Sequence, residues 1–488
     1  MFSDKVKKTA HNVKNLMTQL IAEKLPLDGF VYDTALAGYL LDATAGDYSL
    51  GRLSMGYCGM ELDGAEAVYR LRPVTEKKLE QLGMTKLFYE IEMPLCRVLA
   101  DMQEQGFMID KAALMSFGEG LTGTIAELER AIYEQAGCEF NINSPKQLGE
   151  VLFDKLMLPA GKKTKTGWST NADVLEKLRG KHPIVNMVLD YRMLTKLKST
   201  YADGLLKLID PDGRIRTKFQ MTVTATGRLS STDPNLQNIP IRKELGSHIR
   251  EMFIASKGNV LVDADYSQIE LRLLAHISGD EHMRAAFLSG EDIHTVTASQ
   301  VFNTPIDEVT PLQRSRAKAV NFGIVYGISP WSLAQDIGVT QGEAKAYMDA
   351  YLNKYDGVRE YMKSIVEKAK QDGYVTTIYS RRRDLPELKS SNFNTRSFGE
   401  RVALNMPIQG TAADIIKLAM VNVYNRLKAE GLKARLILQV HDELICECPE
   451  SEAQTVADIL REEMSGAAKL SVPLTVDAKI GHSWAEAH

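Results

Sequence analysis

The stretch that decides the fold is Asn259-Val-Leu-Val-Asp-Ala-Asp-Tyr-Ser-Gln-Ile-Glu-Leu-Arg-Leu-Leu-Ala-His-Ile-Ser278. Residues 260–266 are β-branched and apolar apart from Asp263 and Asp265, which predicts a buried strand. From Ile269 onward the apolar residues recur at helical spacing, so a tight turn and then a helix follow. A buried carboxylate costs several kcal/mol unless a cation or a metal ion compensates it. The stretch is therefore either a strand–helix corner with solvated acids or the rigid mount of a metal site.

The composition indicates a globular protein of several domains. The chain has 488 residues, of which 44% are hydrophobic and 25% charged, and this excludes disordered and fibrous classes. No run approaches the roughly 18 apolar residues of a membrane span, and the first residues lack the apolar core of a signal peptide. We therefore expect a cytoplasmic protein with no membrane partner. The five scattered cysteines fit neither a disulfide framework nor a zinc site, and we interpret them as reduced packing residues.

The net charge of −4 conceals basic segments. Residues 155–200 contain ten Lys or Arg against three Asp or Glu, including a basic loop at 162–165. A second cluster is Arg381-Arg-Arg383. Such segments suit contact with phosphates, although a solvated helical face explains most single runs equally well.

Helix signals dominate the first half of the chain. Residues 88–109 predict an amphipathic helix that stops at Gly106. Asn143 or Ser144 caps a helix that begins with Pro145, and residues 190–206 predict another, so 110–212 reads as a helical, basic module. Residues 224–240 form a long polar loop rich in hydrogen-bond donors, either a plain surface loop or a functional one.

Four side chains recur every fourth residue in one predicted helix. Arg314, Lys318, Phe322 and Tyr326 drift only about 40° per step around it and form one stripe. Cations at a helix N-terminus oppose the helix dipole, so an anion such as a phosphate is the expected partner, with the aromatic end free to stack. Gly323 and Gly327 in the helix suggest close packing against its backbone. The alternative is a core helix with a solvated basic start.

A second set of acids lies near the C-terminus. Residues 434–448 predict two strands broken by His441-Asp442-Glu443, which can itself be the hairpin turn. Before it, residues 410–427 predict a helix, whereas Pro407 argues against one unbroken helix through Arg401, Asn405 and Gln409. If Asp265 and Asp442 converge, they could hold a pair of Mg²⁺ ions for phosphoryl transfer. Together with the stripe, this indicates phosphoryl transfer with nucleic acid.

Several motifs resemble those of family A DNA polymerases, the bacterial DNA polymerase I type. They are residues 263–272, 314–327 and 439–443, with Thr226-Gly-Arg-Leu-Ser-Ser231 and residues 405–414 as further matches. The resemblance implies an α+β multidomain protein with the right-hand fold of palm, fingers and thumb, preceded by a truncated exonuclease-like α/β domain. The implied divisions are an exonuclease-like region at 1–86, a helix leading into the palm at 87–109, a thumb at 110–212, the palm at 213–282 and 408–488, and fingers at 283–407.

The same resemblance implies the role of each site residue. Asp265 and Asp442, with the carbonyl of Tyr266, would hold two Mg²⁺ ions, which Mn²⁺ could replace, and Glu443 would be an auxiliary acid. By position, Arg314 and Lys318 would contact the triphosphate, and Lys318 would also protonate the leaving pyrophosphate. His294 and Gln268 would be further nucleotide contacts, Glu270 with Tyr326 would exclude a 2′-hydroxyl, and Phe322 would lie beside the sugar 3′ position. The residues expected to contact DNA are Arg228, Asn238, Arg401, Asn405, Gln409 and His441. Asp263 is expected to be a structural neighbour.

The resemblance also predicts a monomeric, nucleoid-associated enzyme that acts on primer-template DNA and dNTPs. The N-terminal region lacks the acids of a proofreading site, with Leu16 and no clear Asp near residues 65–69, so neither 3′→5′ exonuclease nor 5′ nuclease activity is expected. Two alternatives stay open. One is a duplex-binding protein with a decayed active site, and the other is a nuclease that uses the same two acids.

Overall fold

The structure is a computed structural model that describes residues 5–159, 163–164, 167–240 and 244–488. Its centre is a four-stranded antiparallel sheet. The strands are β1 (Asn259–Tyr266), β2 (Arg435–Val440), β3 (Glu443–Pro449) and β4 (Val476–Gly481), in the order β2-β3-β1-β4. The predicted strand at 260–266 and the predicted hairpin are both confirmed, but the turn contains only His441 and Asp442, because Glu443 already pairs with Val440 as the first residue of β3.

Helices cover this sheet. Gln268 adopts a positive φ of 56° and turns the chain from β1 into helix α1 (Ile269–Ser278). The long helix α3 (Phe393–Ala429) runs unbroken for 37 residues with Pro407 inside it. The expectation of a break at Pro407 is therefore wrong. Two helices contact β1 and β4: Ala453–Ser465 and Trp484–Ala487. A third helix, Glu244–Glu251, packs against Trp484–Ala487.

The N-terminal region is a small α/β unit that shares its hydrophobic core with the rest of the molecule. Strand Lys8–Ala10 pairs in parallel with Phe30–Asp33. Four helices surround this pair: Val13–Ala22, Thr34–Leu41, Leu50–Cys58 and Gly64–Gln81. The mixture of helix and strand agrees with the α/β character predicted here.

The next segment is a helical module with a hydrophobic core of its own. A π-helical turn (Leu87–Glu92) and a helix (Met93–Gln105) lead into it, and Gly106 ends that helix as predicted. Ser144, rather than Asn143, caps the helix that begins with Pro145. The remaining elements are Phe107–Met108 paired with Arg214–Ile215, Lys111–Ala136, Pro145–Gly149, Glu150–Lys155, Lys163–Thr164 paired with Gly167–Trp168, Ala172–Lys177, Pro183–Leu197, Lys198–Ala202 and Asp203–Leu206. Lys162 and Lys165 of the predicted basic loop lie outside the described residues.

The third group of helices follows α1. It comprises Glu281–Ser289, Ile293–Val301, α2 (Pro311–Val325), Pro330–Ile337, Gln341–Lys354 and Asp356–Asp372, then the hairpin Tyr374–Thr376 with Arg382–Asp384. A further hairpin pairs Lys218–Gln220 with Ser230–Thr232. Short 3₁₀ turns occupy Leu236–Asn238, Ile306–Glu308, Pro386–Lys389 and Glu450–Glu452. None of the helices in the described part of the chain is long and apolar enough to cross a membrane.

Two local expectations need correction. Helix α2 ends at Val325, so Gly327, with φ of 63°, lies beyond the helix and not inside it. Gly323 is within α2 and does pack closely, since a Cβ there would come within 2.6 Å of Ile328 Cγ2. Cys138 is exposed and so is not a packing residue, whereas Cys96, Cys446 and Cys448 are buried. The predicted limit between fingers and palm at 407/408 falls inside α3, and the domain limits stay predictions.

Candidate active site

Two acids meet where β1 and the β2–β3 hairpin end. In the sheet register Asp265 lies directly opposite Glu443 on β3 and opposite Asp477 on β4. Asp442 occupies the two-residue turn after β2, and its carbonyl accepts a hydrogen bond from the Tyr266 amide at 3.2 Å. The sheet therefore brings Asp265 and Asp442 together although they are far apart in sequence.

These carboxylates resist ionisation in the absence of a cation. Burial and the charges of Asp442, Glu443 and Asp477 raise the pKa of Asp265 to about 8. Burial, with Glu270 contributing, raises the pKa of Asp442 to about 6. The buried Oδ1 atom of Asp265 has no hydrogen-bond partner among the described residues. Crowded, unpaired carboxylate oxygens are the ligand set that a hard divalent cation prefers, so the pair fits a metal site.

Glu443 is held away from this pair. Its Oε1 accepts a hydrogen bond of 2.6 Å from the indole of Trp484. Asp263 lies beside it, and the imidazole Nδ1 of His488 is 3.4 Å from Asp263 and 3.7 Å from Glu443. Arg250 approaches Glu443 at 3.9 Å and stacks over Trp484. Asp263 and Glu443 thus form a buried acid pair beside His488 of the C-terminal segment, and the role of Asp263 as a structural neighbour stays a prediction.

The stripe on α2 faces the two acids. Lys318 lies 6.0 Å from the ring centre of Phe322, and the rings of Phe322 and Tyr326 stack with centroids 6.5 Å apart. Thr310 and Gln313 cap the start of the helix reciprocally. Arg314 donates to both oxygens of Asp292, at 2.7 and 3.2 Å, in a fork that fixes the plane of the guanidinium.

His294 joins this row as a neutral imidazole. Burial, together with the charges of Lys318 and Arg314, lowers the pKa of His294 to about 4. The side-chain amide nitrogen of Asn321 is 3.0 Å from the imidazole Nδ1 and donates to it in that neutral form. The Nε2–H group is then the free donor of the ring.

Glu270 closes one side of the cleft. It is buried at the start of α1, where Arg228 pairs with its Oε1 and the Tyr326 hydroxyl donates to its Oε2 at 2.8 Å. The neighbouring Gln268 also lines the cleft. One carboxylate therefore ties the polar loop, α1 and the aromatic end of α2 together.

The predicted DNA contacts divide into two groups. Arg228 and His441 line the same cleft as the acids. Arg401 lines a second groove, which shares Lys318, Phe322 and Tyr326 with the cleft. Asn405 donates to the carbonyl of Tyr326 at 3.3 Å. Gln409 lies one turn further along α3, and the exposed Asn238 offers its carbonyl to the hydroxyl of Tyr201. The structure does not bring these last four residues into the cleft with Asp265.

The cleft has a volume of about 630 Å³. Of the predicted metal and nucleotide residues it is lined by Asp265, Tyr266, Gln268, Glu270, His294, Arg314, Lys318, Phe322, Tyr326 and Asp442. Asp477, Gln439 and Asp292 were missed as members of the site or its supports. Asp477 is a lone acid in a strand and gives no sequence signal, whereas Asp292 could have been found as the helix cap two residues before His294.

Comparison with known proteins decides the family. Residues 111–486 match the model of DNA polymerase family A. The chain belongs to this family. It is similar to DNA polymerase I of Caldicellulosiruptor bescii (47% identical over 494 residues) and of Bacillus subtilis (48% over 516 residues). Each alignment covers 99% of this chain and 58% of the relative, so the chain spans a little over half the length of these relatives.

A solved structure of the family shares the fold. The POL domain of Pol1 from M. smegmatis, in complex with DNA primer-template and dNTP, superposes with a TM-score of 0.94 at 44% sequence identity. The match covers 98% of this chain and 86% of that one. The predicted right-hand polymerase fold is confirmed by this likeness. Family A polymerases depend on divalent metal ions, and the unpaired acids Asp265 and Asp442 fit that requirement.

Proposed function

We propose that this chain is a DNA-dependent DNA polymerase that adds dNTPs to a primer 3′-hydroxyl by two-metal nucleotidyl transfer. One observation carries the proposal: the partly buried acids Asp265 and Asp442, which have no ion pair among the described residues, share a cleft with the cationic row of α2. The M. smegmatis relative, which holds primer-template and dNTP, supports the substrate assignment.

The residues of the cleft would divide the work. Asp265, Asp442 and the carbonyl of Tyr266 would hold two Mg²⁺ ions, or Mn²⁺ in their place. Bound there, the metals would activate the attacking hydroxyl and stabilise the leaving oxygen.

The triphosphate would bind along α2. Arg314, held in plane by Asp292, and Lys318 would contact its oxygens, with a further hydrogen bond from His294 Nε2–H. Lys318 would also protonate the leaving pyrophosphate. Gln268, which lines the cleft, would be a further nucleotide contact. Glu443, which lies opposite Asp265 in the sheet but is engaged by Trp484, would act as an auxiliary acid.

Sugar selection would come from the aromatic end of the stripe. Glu270 and Tyr326 form one hydrogen-bonded wall that would crowd a 2′-hydroxyl and exclude ribonucleotides. Phe322 would lie beside the 3′ position of the sugar. A Phe there has no hydroxyl to replace a missing 3′-OH, so dideoxynucleotides would be poor substrates.

DNA would be bound by the residues predicted to contact it, both those inside the cleft and those outside it. Arg228, Asn405 and Gln409 would contact minor-groove acceptors, which recur in all correct pairs and so report pair shape and not sequence. Arg401, Asn238 and His441 would complete the contact with the primer-template.

We extend the proposal to the N-terminal region, which we expect to lack proofreading activity. Its buried acid, Asp33, accepts hydrogen bonds from the amides of Asn12, Val13 and Ala35 at 2.7–3.0 Å. This one carboxylate caps the N-termini of two helices, so its oxygens are already engaged in hydrogen bonds. We also propose that the enzyme acts as a monomer in the cytoplasm, associated with the nucleoid.

Primer extension tests the main proposal. Wild-type protein with Mg²⁺, a labelled primer-template and dNTPs should extend the primer, and Asp442→Asn should reduce kcat by roughly a thousandfold because several kcal/mol of transition-state stabilisation are lost. Asp458→Asn, an exposed acid paired with Arg461 on an outer helix, is the matched control and should keep full activity.

The alternatives give different results in the same assay. A duplex-binding protein would retain primer-template without incorporating any dNTP. A nuclease would shorten the primer in the absence of dNTPs. Undiminished synthesis by Asp442→Asn would also contradict the assignment of the metal site.

A further inference from the structure

The loop that carries Arg228 is held from several sides. The Thr224 hydroxyl donates to the carbonyl of Arg228 at 2.6 Å and closes the loop on itself. Tyr39 of the N-terminal unit donates its hydroxyl to the Thr224 carbonyl at 2.7 Å. Arg228 itself pairs with Glu270 in the cleft. The loop backbone therefore sets where Arg228 lies relative to Glu270 and the acids of the cleft.

The centre of this loop rests on a guanidinium. Gly227 has φ of 89°, and a Cβ there would lie 2.4 Å from Nε and 2.8 Å from Cζ of Arg381. At Gly410 of α3 a Cβ would lie 3.1 Å from the carbonyl oxygen of Thr226. Two glycines thus allow the loop backbone to touch both Arg381 and α3 directly.

Arg381 is in turn fixed by buried charges. Its Nε and Nη2 contact Asp414 Oδ1 at 2.8 and 2.7 Å, and Nη2 also pairs with Glu92. Lys417 donates to the same oxygen of Glu92 at 2.6 Å. All four side chains are at most 2% exposed, and two acids balance two bases. A planar guanidinium held this way has little freedom to move.

We infer that Arg381 is a positioning residue for the polymerase site: its buried charge network with Glu92, Asp414 and Lys417 sets the backbone of residues 224–228 and, through it, Arg228. The inference rests on the proposed function, since Arg228 acts there on primer-template. It assigns a role to the Arg381-Arg-Arg383 cluster that differs from phosphate contact. It also gives the N-terminal unit a part in polymerisation, through Tyr39.

Gly227→Ala is the sharpest test because it leaves all four buried charges in place. The added methyl must displace the loop from Arg381, so we expect the preference for extending a matched over a mismatched primer end, as a ratio of kcat/KM, to fall roughly tenfold to a hundredfold. Arg381→Lys keeps the charge but loses the flat contact, and it should lower the same ratio. Arg382→Lys, at the half-buried neighbour that pairs with Asp384, is the matched control and should leave the ratio unchanged.

A double-mutant cycle separates positioning from general damage. If Gly227→Ala acts through Arg228, adding it to Arg228→Ala should change the ratio less than about twofold. Fully additive losses in the double variant, or an unchanged ratio in Gly227→Ala, would overturn the inference. If the wild-type protein extends no primer, the proposed function itself is overturned, and the inference, which rests on it, falls as well. Thermal unfolding of each variant shows whether a loss comes from unfolding.

Discussion

Two groups of acids in this molecule, one fully buried and one partly buried, are built in opposite ways. Glu92 and Asp414 each touch a buried cation. Although burial opposes ionisation, Lys417 and Arg381 hold the pKa of Glu92 below its ordinary value, whereas burial raises the pKa of Asp414 despite its pairing with Arg381. Asp265 and Asp442 have no ion pair among the described residues, and their pKa values are raised. The first group carries its own countercharge, whereas the second has no cationic side chain paired with it among the described residues. The contrast separates acids that are paired within the protein from acids for which we propose a metal ion as the partner.

The largest expected effect is on the paired group. Asp414→Asn removes one acid from a network of balanced charge and leaves Arg381 and Lys417 with Glu92 alone. We expect it to lower the free energy of unfolding by about 3–5 kcal/mol, the usual cost of breaking a buried ion pair. Denaturant unfolding measures this, with Asp458→Asn as a surface control within about 0.5 kcal/mol of wild type. An equally small change in Asp414→Asn would contradict the contrast.

The unpaired group should respond with the opposite sign. Asp265 is ionised in the unfolded chain at pH 7, but burial and three neighbouring acids raise its pKa to about 8 in the folded protein, so folding requires it to take up a proton. Asp265→Asn removes that cost, so in EDTA at pH 7 it should raise the free energy of unfolding by about 1–2 kcal/mol. Added Mg²⁺ should stabilise the wild type by mass action and the variant much less. Thermal shift assays with and without Mg²⁺ test both statements. Destabilisation of the metal-free variant would show that Asp265 has a stabilising partner.

Glu270 is intermediate, because it is buried and paired but also lines the cleft. Glu270→Ala should lower the preference for dNTP over rNTP at least about tenfold in kcat/KM, or about 1.4 kcal/mol, since the wall against a 2′-hydroxyl is removed. Glu270→Gln keeps the bulk and loses the charge, so it should retain most of the selectivity. Equal loss in both variants would mean that the ion pair with Arg228, and not bulk, excludes the ribose.

The smallest effect is expected for His294, whose side chain is an uncharged imidazole. With its pKa lowered to about 4, the imidazole is uncharged at both pH 6.5 and pH 9. We expect His294→Ala to raise the KM for dNTP about tenfold, the value of one hydrogen bond to a charged group, and by the same factor across that pH range. Steady-state KM ratios of variant to wild type at each pH test this. A ratio that falls toward one as the pH rises through 6.5 would show that the charged form binds.

The sequence predicted the residues that line the cleft better than the residues that position them. The acids, the stripe on α2 and the hairpin turn each lie within a short stretch, where local pattern and family resemblance act directly. The network around Arg381 could not be found this way, since Arg381 and Lys417 lie 289 and 325 residues from Glu92 and no periodicity pairs them. Pro407 misled because a proline removes one backbone donor, and the packing of α3, buried on both sides of it, outweighs that loss. Asp477 was not predicted as a site residue because a single acid in a strand carries no pattern that distinguishes it from a solvent-exposed side chain.

The unbroken helix α3 also fixes how the chain can change in length. It spans about 55 Å and carries Arg401, Asn405 and Gln409 in its first half and Asp414 and Lys417 immediately afterwards. One residue inserted between Gln409 and Asp414 would rotate everything beyond it by about 100°. Arg381 would then lose Asp414 whatever the inserted side chain. Exposed turns such as residues 210–213 can absorb insertions and deletions, but the spacing from Gln409 to Asp414 cannot vary.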